Sequence, residues 1–225
     1  MKPVIEVNDV WKIYKMGSVE VPALRGLNLK IYPKQLVVLM GRSGSGKSTA
    51  MNIIGCLDIP TTGVVKLDGN DISKMHESKL SQLRGKKIGF VFQQFNLLPH
   101  LTALENVTLP SVFQNVPEEI RIKRGTEILK SVGLANRINH RPSEMSGGES
   151  QRVAIARALI GNPEIILADE PTGNLDSKTG EKILQVLEKL NKEGKTVIIV
   201  THDPEIAKHS KYVFRLKDGK IVKGG

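Results

Sequence analysis

Cysteine is almost missing from this 225-residue chain: Cys56 stands alone, so no intrachain disulfide can form and no cysteine-built metal site exists. Cys56 itself has no nucleophile–base neighbours in the sequence and reads as packing. Aromatic residues are only 4% of the chain, with one tryptophan, so the formal charge of +10 has no aromatic–basic RNA signature beside it. Basic residues are also interleaved with acids, as in Lys189-Leu190-Asn191-Lys192-Glu193-Gly194-Lys195. The charge argues for a broadly basic solvated surface, or a bias toward anionic headgroups, over a nucleic-acid partner. No apolar run approaches the ~18 residues of a membrane-crossing helix, and Met1-Lys2-Pro3 leads into a strand pattern rather than a secretory signal. The polypeptide is expected to be soluble and to stay in the cytoplasm. With 40% hydrophobic residues it is long enough for one domain, or for one core with a smaller inserted subdomain.

What the chain does have is Gly41-Arg42-Ser43-Gly44-Ser45-Gly46-Lys47-Ser48-Thr49, which fits G-x-x-x-x-G-K-[ST] at every fixed position. The apolar run Leu36-Val37-Val38-Leu39-Met40 precedes it, and a helix through Ala50-Met51-Asn52-Ile53-Ile54 is expected after it. Glycines let the backbone curl with its N–H groups inward, and a helix start adds unpaired donors and the positive end of its dipole. Such a nest suits a polyphosphate. Lys47 is placed to reach the β and γ phosphates and Ser48 to hold Mg²⁺.

Along the chain, Val4–Val10 reads as a strand extended by Trp11 to Tyr14, and Leu24–Ile31 alternates apolar and polar residues. Val64–Leu67 and Ile88–Phe92 read as further strands, with a short helix near Glu77–Leu83 between them. From Thr102 to about Leu134 the spacing turns helical, with Pro110 and Pro117 expected to interrupt it. Residues 95–160 are expected to form a helical insertion. Ile165–Glu170 returns to strand character, a helix is expected over Thr179–Asn191, and Thr196–Val200 is another buried strand. Asp218-Gly219 between two strand patterns is a hairpin signal. The expected fold is an α/β phosphate-loop core with an antiparallel β periphery and an inserted α-helical subdomain.

A phosphate-loop core needs an acid at a strand end to organise Mg²⁺, and Asp169 occupies that place after four apolar residues. Glu170, one position on, is expected to polarise or deprotonate the attacking water.

Three groups then complete a pattern: Gln93 after a strand, Met145-Ser146-Gly147-Gly148-Glu149 before Gln151–Leu159, and Asn174-Leu175-Asp176 followed later by His202. In this order, over residues 4 to 222, the chain closely resembles an ATP-binding cassette ATPase, the nucleotide-binding subunit of an ABC transporter. Gly55-Cys56-Leu57-Asp58 and Gly89–Pro99 look like the lipoprotein-release and macrolide-export branch.

The resemblance implies two copies closing head to tail around two ATP molecules. Ser146, Gly147 and Gly148 would face the γ-phosphate held by the other copy's Lys47. It further implies that Gln93 touches Mg²⁺ or the attacking water, that His202 reports the γ-phosphate, that Tyr14 stacks on adenine and that Asp176 couples the two sites. Arg42, Gly44, Ser45 and Thr49 complete the phosphate loop. Each of these residues also has a local reading: packing for Tyr14, a strand cap for Gln93, a turn or helix cap for Asp176. Met145 and Glu149 depart from the commonest Leu-Ser-Gly-Gly-Gln; Met145 keeps an apolar contact, and the acceptor-only carboxylate of Glu149 either weakens nucleotide-driven closure or uses a nearby cation, so altered tuning rather than lost function is expected. Integral membrane partners, permease-like or mechanotransducing, are implied with the chain on the cytoplasmic face; a soluble ATPase that remodels a nucleic-acid or ribosome complex, or a nucleotide-regulated interaction module, is the alternative.

Overall fold

The computed structural model describes residues 2–222, so Met1 of the Met1-Lys2-Pro3 opening lies outside it. The chain divides into two compact units, one built from residues up to 84 and from 191 onward, the other from 85 to 190.

In the first unit β1 (Ile5–Met16) pairs antiparallel with β2 (Val19–Ile31) and with β4 (Thr62–Leu67), and β5 (Asn70–Asp71) adds to the edge of β4. Leu27, Leu29 and Ile31 of β2 are buried while Asn28 and Lys30 are exposed, as alternation requires of a sheet with one wet face, and a register shift at Gly26 (φ 77°) puts Leu24 on the buried side as well. A second group is parallel. β3 (Leu36–Met40) lies between β8 (Thr196–Thr201) and β9 (Tyr212–Lys217), with Val38 level with Ile199 on one side and Val213 on the other. Every residue of β8 is buried, which explains its unbroken apolar run. β9 turns into β10 (Lys220–Val222) through Asp218 (φ 49°) and Gly219 (φ 77°), the positive pair a tight primed hairpin demands. α1 (Lys47–Ile54), α2 (Glu77–Lys87) and the short α7 (Pro204–Ala207) complete the helices that begin in this unit.

The second unit holds the parallel pair β6 (Ile88–Val91) and β7 (Ile165–Asp169) with α3 (Ala103–Phe113), α4 (Glu118–Ser131), α5 (Gly147–Leu159) and α6 (Ser177–Lys192). Val107, Leu129, Leu134, Val153, Ala156 and Ile160 form one core between α3, α4 and α5. A Cβ on Gly89 would meet the Ala158 carbonyl oxygen at 2.4 Å, so β6 and the end of α5 approach as closely as glycine allows.

Pro110 does not interrupt its helix: α3 runs from 103 to 113 with Pro110 inside, and the break comes only at Gln114–Pro117. Proline in a helix costs one backbone hydrogen bond and a clash, about 3 kcal/mol. Against that, Thr102 and Glu105 close a full capping box, and buried Asn106 donates from Nδ2 to the Leu98, Leu101 and Thr102 carbonyls. With Val107 also buried, these contacts hold the turn whose Asn106 carbonyl loses its bond to residue 110, and they offset that loss.

Candidate active site

β3 delivers the chain into the loop Gly41–Gly46, and α1 takes it away. Gly44 (φ 76°) and Gly46 (φ 98°) occupy the left-handed region that favours glycine. A Cβ on Gly46 would meet the Ala23 carbonyl oxygen at 2.6 Å, and one on Gly41 the Ser45 hydroxyl at 2.4 Å, so these two positions admit no larger residue without movement. The loop is fixed from outside as well: Gly41 N–H donates to the Thr201 carbonyl at 3.2 Å, and Gly219 N–H to the Ser45 carbonyl at 3.0 Å.

Gly46 is the N-cap of α1 and supplies no side-chain cap, so the first N–H groups of that helix keep their capacity for an anion. The Ser45 hydroxyl is buried with no hydrogen-bond partner, and Lys47 Nζ donates to the Arg42 carbonyl of its own loop at 3.0 Å. Orphaned donors, a lysine folded onto the loop and an uncapped helix start fit a polyphosphate. Ser48 is exposed on the first turn of α1 and Thr49 half-buried behind it.

His202 follows β8 and shares a cavity of about 850 Å³ with Arg42, Ser43, Gly44 and Arg215. That volume is within the usual range for small-molecule sites. Tyr14, 37% exposed on β1, has its hydroxyl on Asp58 at 3.2 Å and the Lys12 ammonium 5.1 Å from its ring centre. Lys12 in turn pairs with Asp58 at 2.6 Å. Asp58 thus anchors both residues, a role that only a contact across 44 positions of sequence reveals.

In the second unit Asp169 ends β7, half-buried, and Glu170 follows with φ 42°, a positive value that a non-glycine residue adopts at a cost of order 1–3 kcal/mol. Gln93, exposed after β6, bonds reciprocally with Asn174: its Nε2 donates to Asn174 Oδ1 at 3.3 Å, and Asn174 Nδ2 to the Gln93 carbonyl at 3.0 Å. Completely buried Gln151 donates from Nε2 to the Phe92 and Pro171 carbonyls, tying together the residue before Gln93 and the one after Glu170. Arg157 holds the next stretch of that loop through the Phe95 and Asn96 carbonyls, and burial pushes its guanidinium below the usual range.

Asp176 caps α6: its Oδ1 accepts the Thr179 N–H at 3.0 Å, and the Thr179 hydroxyl first and this N–H second hold its carboxyl below the ordinary value. Ser146 caps α5, where a Cβ on Gly147 would meet Leu175 at 3.1 Å and one on Gly148 the Thr179 methyl at 2.4 Å. The close passage of α5 over Thr179 therefore gives Gly148 a packing role, besides anything it offers a ligand, while at Gly147 only the flexible tip of Leu175 would have to move. Glu149 Oε2 accepts the Ser146 N–H at 2.8 Å, and its Oε1 accepts from Arg137 Nε at 2.9 Å. The backbone bond from Ser146, then the Arg137 guanidinium, hold the Glu149 carboxyl at about 2. The cation that the unusual carboxylate calls for is Arg137.

Among the described residues no cluster of three or more His, Cys, Asp or Glu side chains is placed to hold a metal. A cation held here would draw on hydroxyl, amide, phosphate and single carboxylate oxygens, a donor set Mg²⁺ accepts. No described helix is long and apolar enough to cross a membrane.

The ABC transporter family profile matches residues 24–173. An uncharacterized ABC transporter ATP-binding protein of Thermotoga maritima is 53% identical over 98% of this chain and 94% of its own length. A macrolide export ATP-binding/permease protein, MacB of Syntrophobacter fumaroxidans, is 49% identical over 96% of this chain, which spans 31% of that longer protein. Among solved structures, the ATP-binding cassette MJ0796, of Methanocaldococcus jannaschii, in a dimeric post-hydrolysis state bound to ADP and Pi, superposes with a TM-score of 0.89 at 52% identity, covering 97% of both chains. Family match, near full-length relatives and fold agree on one assignment: this chain belongs to the ABC transporter family, as its ATPase cassette.

Proposed function

We propose that two copies of this chain close head to tail around two ATP molecules, and that closing and reopening drives a conformational change in integral membrane partners at the cytoplasmic face. The dimeric state of the MJ0796 cassette supports the pairing, and the fusion of ATP-binding and permease parts in MacB supports the membrane partner. The observation that carries the reading is the exposed Ser146-Gly147 start of α5, a second anion-receiving helix start in a chain whose own phosphate loop already has one. Similarity to MacB favours export, or lipoprotein release, as the work performed.

Within one site, Lys47 and the loop N–H groups neutralise charge on the phosphates, and Glu170 orients water for in-line attack on the γ-phosphorus. Ser48, Gln93 and Asp169 offer the oxygen donors for Mg²⁺, which when bound neutralises the phosphate oxygens. Tyr14, held by Asp58, presents a ring for adenine. His202 reports the γ-phosphate by an imidazole hydrogen bond, and Asp176 couples the sites. Around the α3–α4 junction, Val112, Phe113 and Ile120 are exposed, and they supply an apolar surface for a membrane subunit.

The test is Glu170→Gln. It keeps the side-chain volume and removes the carboxylate, so ATP binding persists, turnover drops by at least about 100-fold, and ATP now accumulates the dimer in sedimentation. Turnover equal to that of the parent chain would overturn the assignment of Glu170.

A further inference from the structure

The carboxylate of Glu149 presents a conflict at the start of α5. Its Oε2 accepts both the Ser146 N–H and the Ser146 hydroxyl, at 2.8 and 3.0 Å. Ser146 is exposed and, in the function proposed above, must receive an anionic nucleotide from a second copy. A bare carboxylate beside that serine repels the nucleotide.

Arg137 answers the conflict from outside the motif. Its Nε donates to Glu149 Oε1 at 2.9 Å, with the Glu149 side chain 19% exposed. Its Nη1 lies 3.0 Å from His140 Nε2, and since arginine only donates, that imidazole nitrogen is the acceptor. The residue is mounted on a firm turn: Arg137 N–H donates to the carbonyl of buried Leu134, and His140 N–H to the Arg137 carbonyl, both at 3.0 Å. Ile138, the next residue, packs on the α3–α4–α5 core. The guanidinium therefore reaches the helix start from a fixed point.

We propose that Arg137 is a positioning residue of the two-copy ATP site: it holds Glu149 on the Ser146 cap and cancels its charge, so that the helix start accepts a nucleotide. This rests on the composite-site reading. It gives the Glu149 departure a partner, and it separates two roles a glutamine would combine, capping Ser146 and staying neutral.

The test uses the full chain with Glu170→Gln, so that ATP is retained, and measures by sedimentation the ATP concentration that gives half-maximal dimer. Arg137→Ala is expected to raise it about tenfold, and the loss to shrink at high salt because its source is charge. Arg137→Lys restores part of the affinity as a point charge without the fork. Adding Glu149→Gln to Arg137→Ala is expected to return it to within about twofold of the parent, because glutamine still completes the box with Ser146 and carries no charge. A merely structural Arg137 predicts a loss that Glu149→Gln leaves in place, and that result overturns the proposal. Should Arg137→Ala not fold by thermal melt, Arg137→Gln carries the same comparison. Ser146→Ala in the same assay separates the two readings. If it dimerises like the parent, the composite site falls and this inference with it. If it is impaired while Arg137→Ala matches the parent, only the role of Arg137 falls.

Discussion

A methyl group on Gly148 would lie 2.4 Å from the Thr179 methyl, on a side chain whose β-branching leaves it little room to turn. Alanine gains about 1 kcal/mol over glycine in a helix, but overpacking a fixed contact costs about 1–3 kcal/mol, and here the overlap is deep enough for the cost to win. Gly148→Ala is therefore expected to lower stability by roughly 1–2 kcal/mol, measured by urea unfolding. Thr179→Ser removes the opposing methyl and keeps the hydroxyl, so the double variant should recover most of the loss; if it does not, the clash is not the cause. Residues of this kind mark how far the sequence could be read. The loop from Gly41 to Thr49 and the strand that ends at Asp169 were legible because their placement is local, carried by spacing along a strand, loop and helix. Asp58 under Tyr14, Gln151 between the two strand ends and Arg137 beside Glu149 were not legible, since each acts through contacts that no local period encodes.

Helix α5 carries the clearest pH dependence. The Glu149 carboxyl ordinarily titrates near 4.5 and is held at about 2 by the Ser146 N–H and Arg137, so its contribution is present above 4.5 and is lost as the pH falls toward 2. Glu149→Gln should be less stable than the parent at pH 7, with the difference narrowing below about pH 4.5, in urea unfolding at pH 7, 4 and 3. A difference that stays constant across this range would show that the carboxylate's charge is not what secures the cap. The α3–α4 junction makes a separate prediction. Phe113 is 79% exposed at the end of α3, beyond the proline that the helix tolerates. Phe113→Asp should leave ATP turnover of the isolated chain within about twofold, because nothing in the phosphate chemistry uses it, while abolishing co-purification with a membrane partner. Retained co-purification would remove this face from the docking surface. Both elements expose a limit of pattern reading: periodicity locates helices, but the cap at 146–149 and the anchoring of Asn106 decide where they start and whether a proline ends them.

For the molecule as a whole, ligand binding and pairing should appear in one experiment. A ligand that binds only the folded chain stabilises it by RT ln(1 + [L]/Kd), about 2.7 kcal/mol at 100 times Kd. For a chain of this size that is a rise in Tm of roughly 5–10 °C. Saturating ATP with Mg²⁺ should produce such a rise for the Glu170→Gln chain and almost none for Lys47→Ala, whose loop loses only the self-bond to the Arg42 carbonyl and the charge that draws phosphate. If ATP also closes two copies on each other, mass action adds a second requirement: the shift must grow with protein concentration, since dimer formation consumes unpaired chains. A rise that is the same at 1 and 50 times a low starting concentration would mean that each loop binds ATP by itself. The Ser146-Gly147-Gly148 start of α5 would then keep only the packing role that Thr179 already gives Gly148.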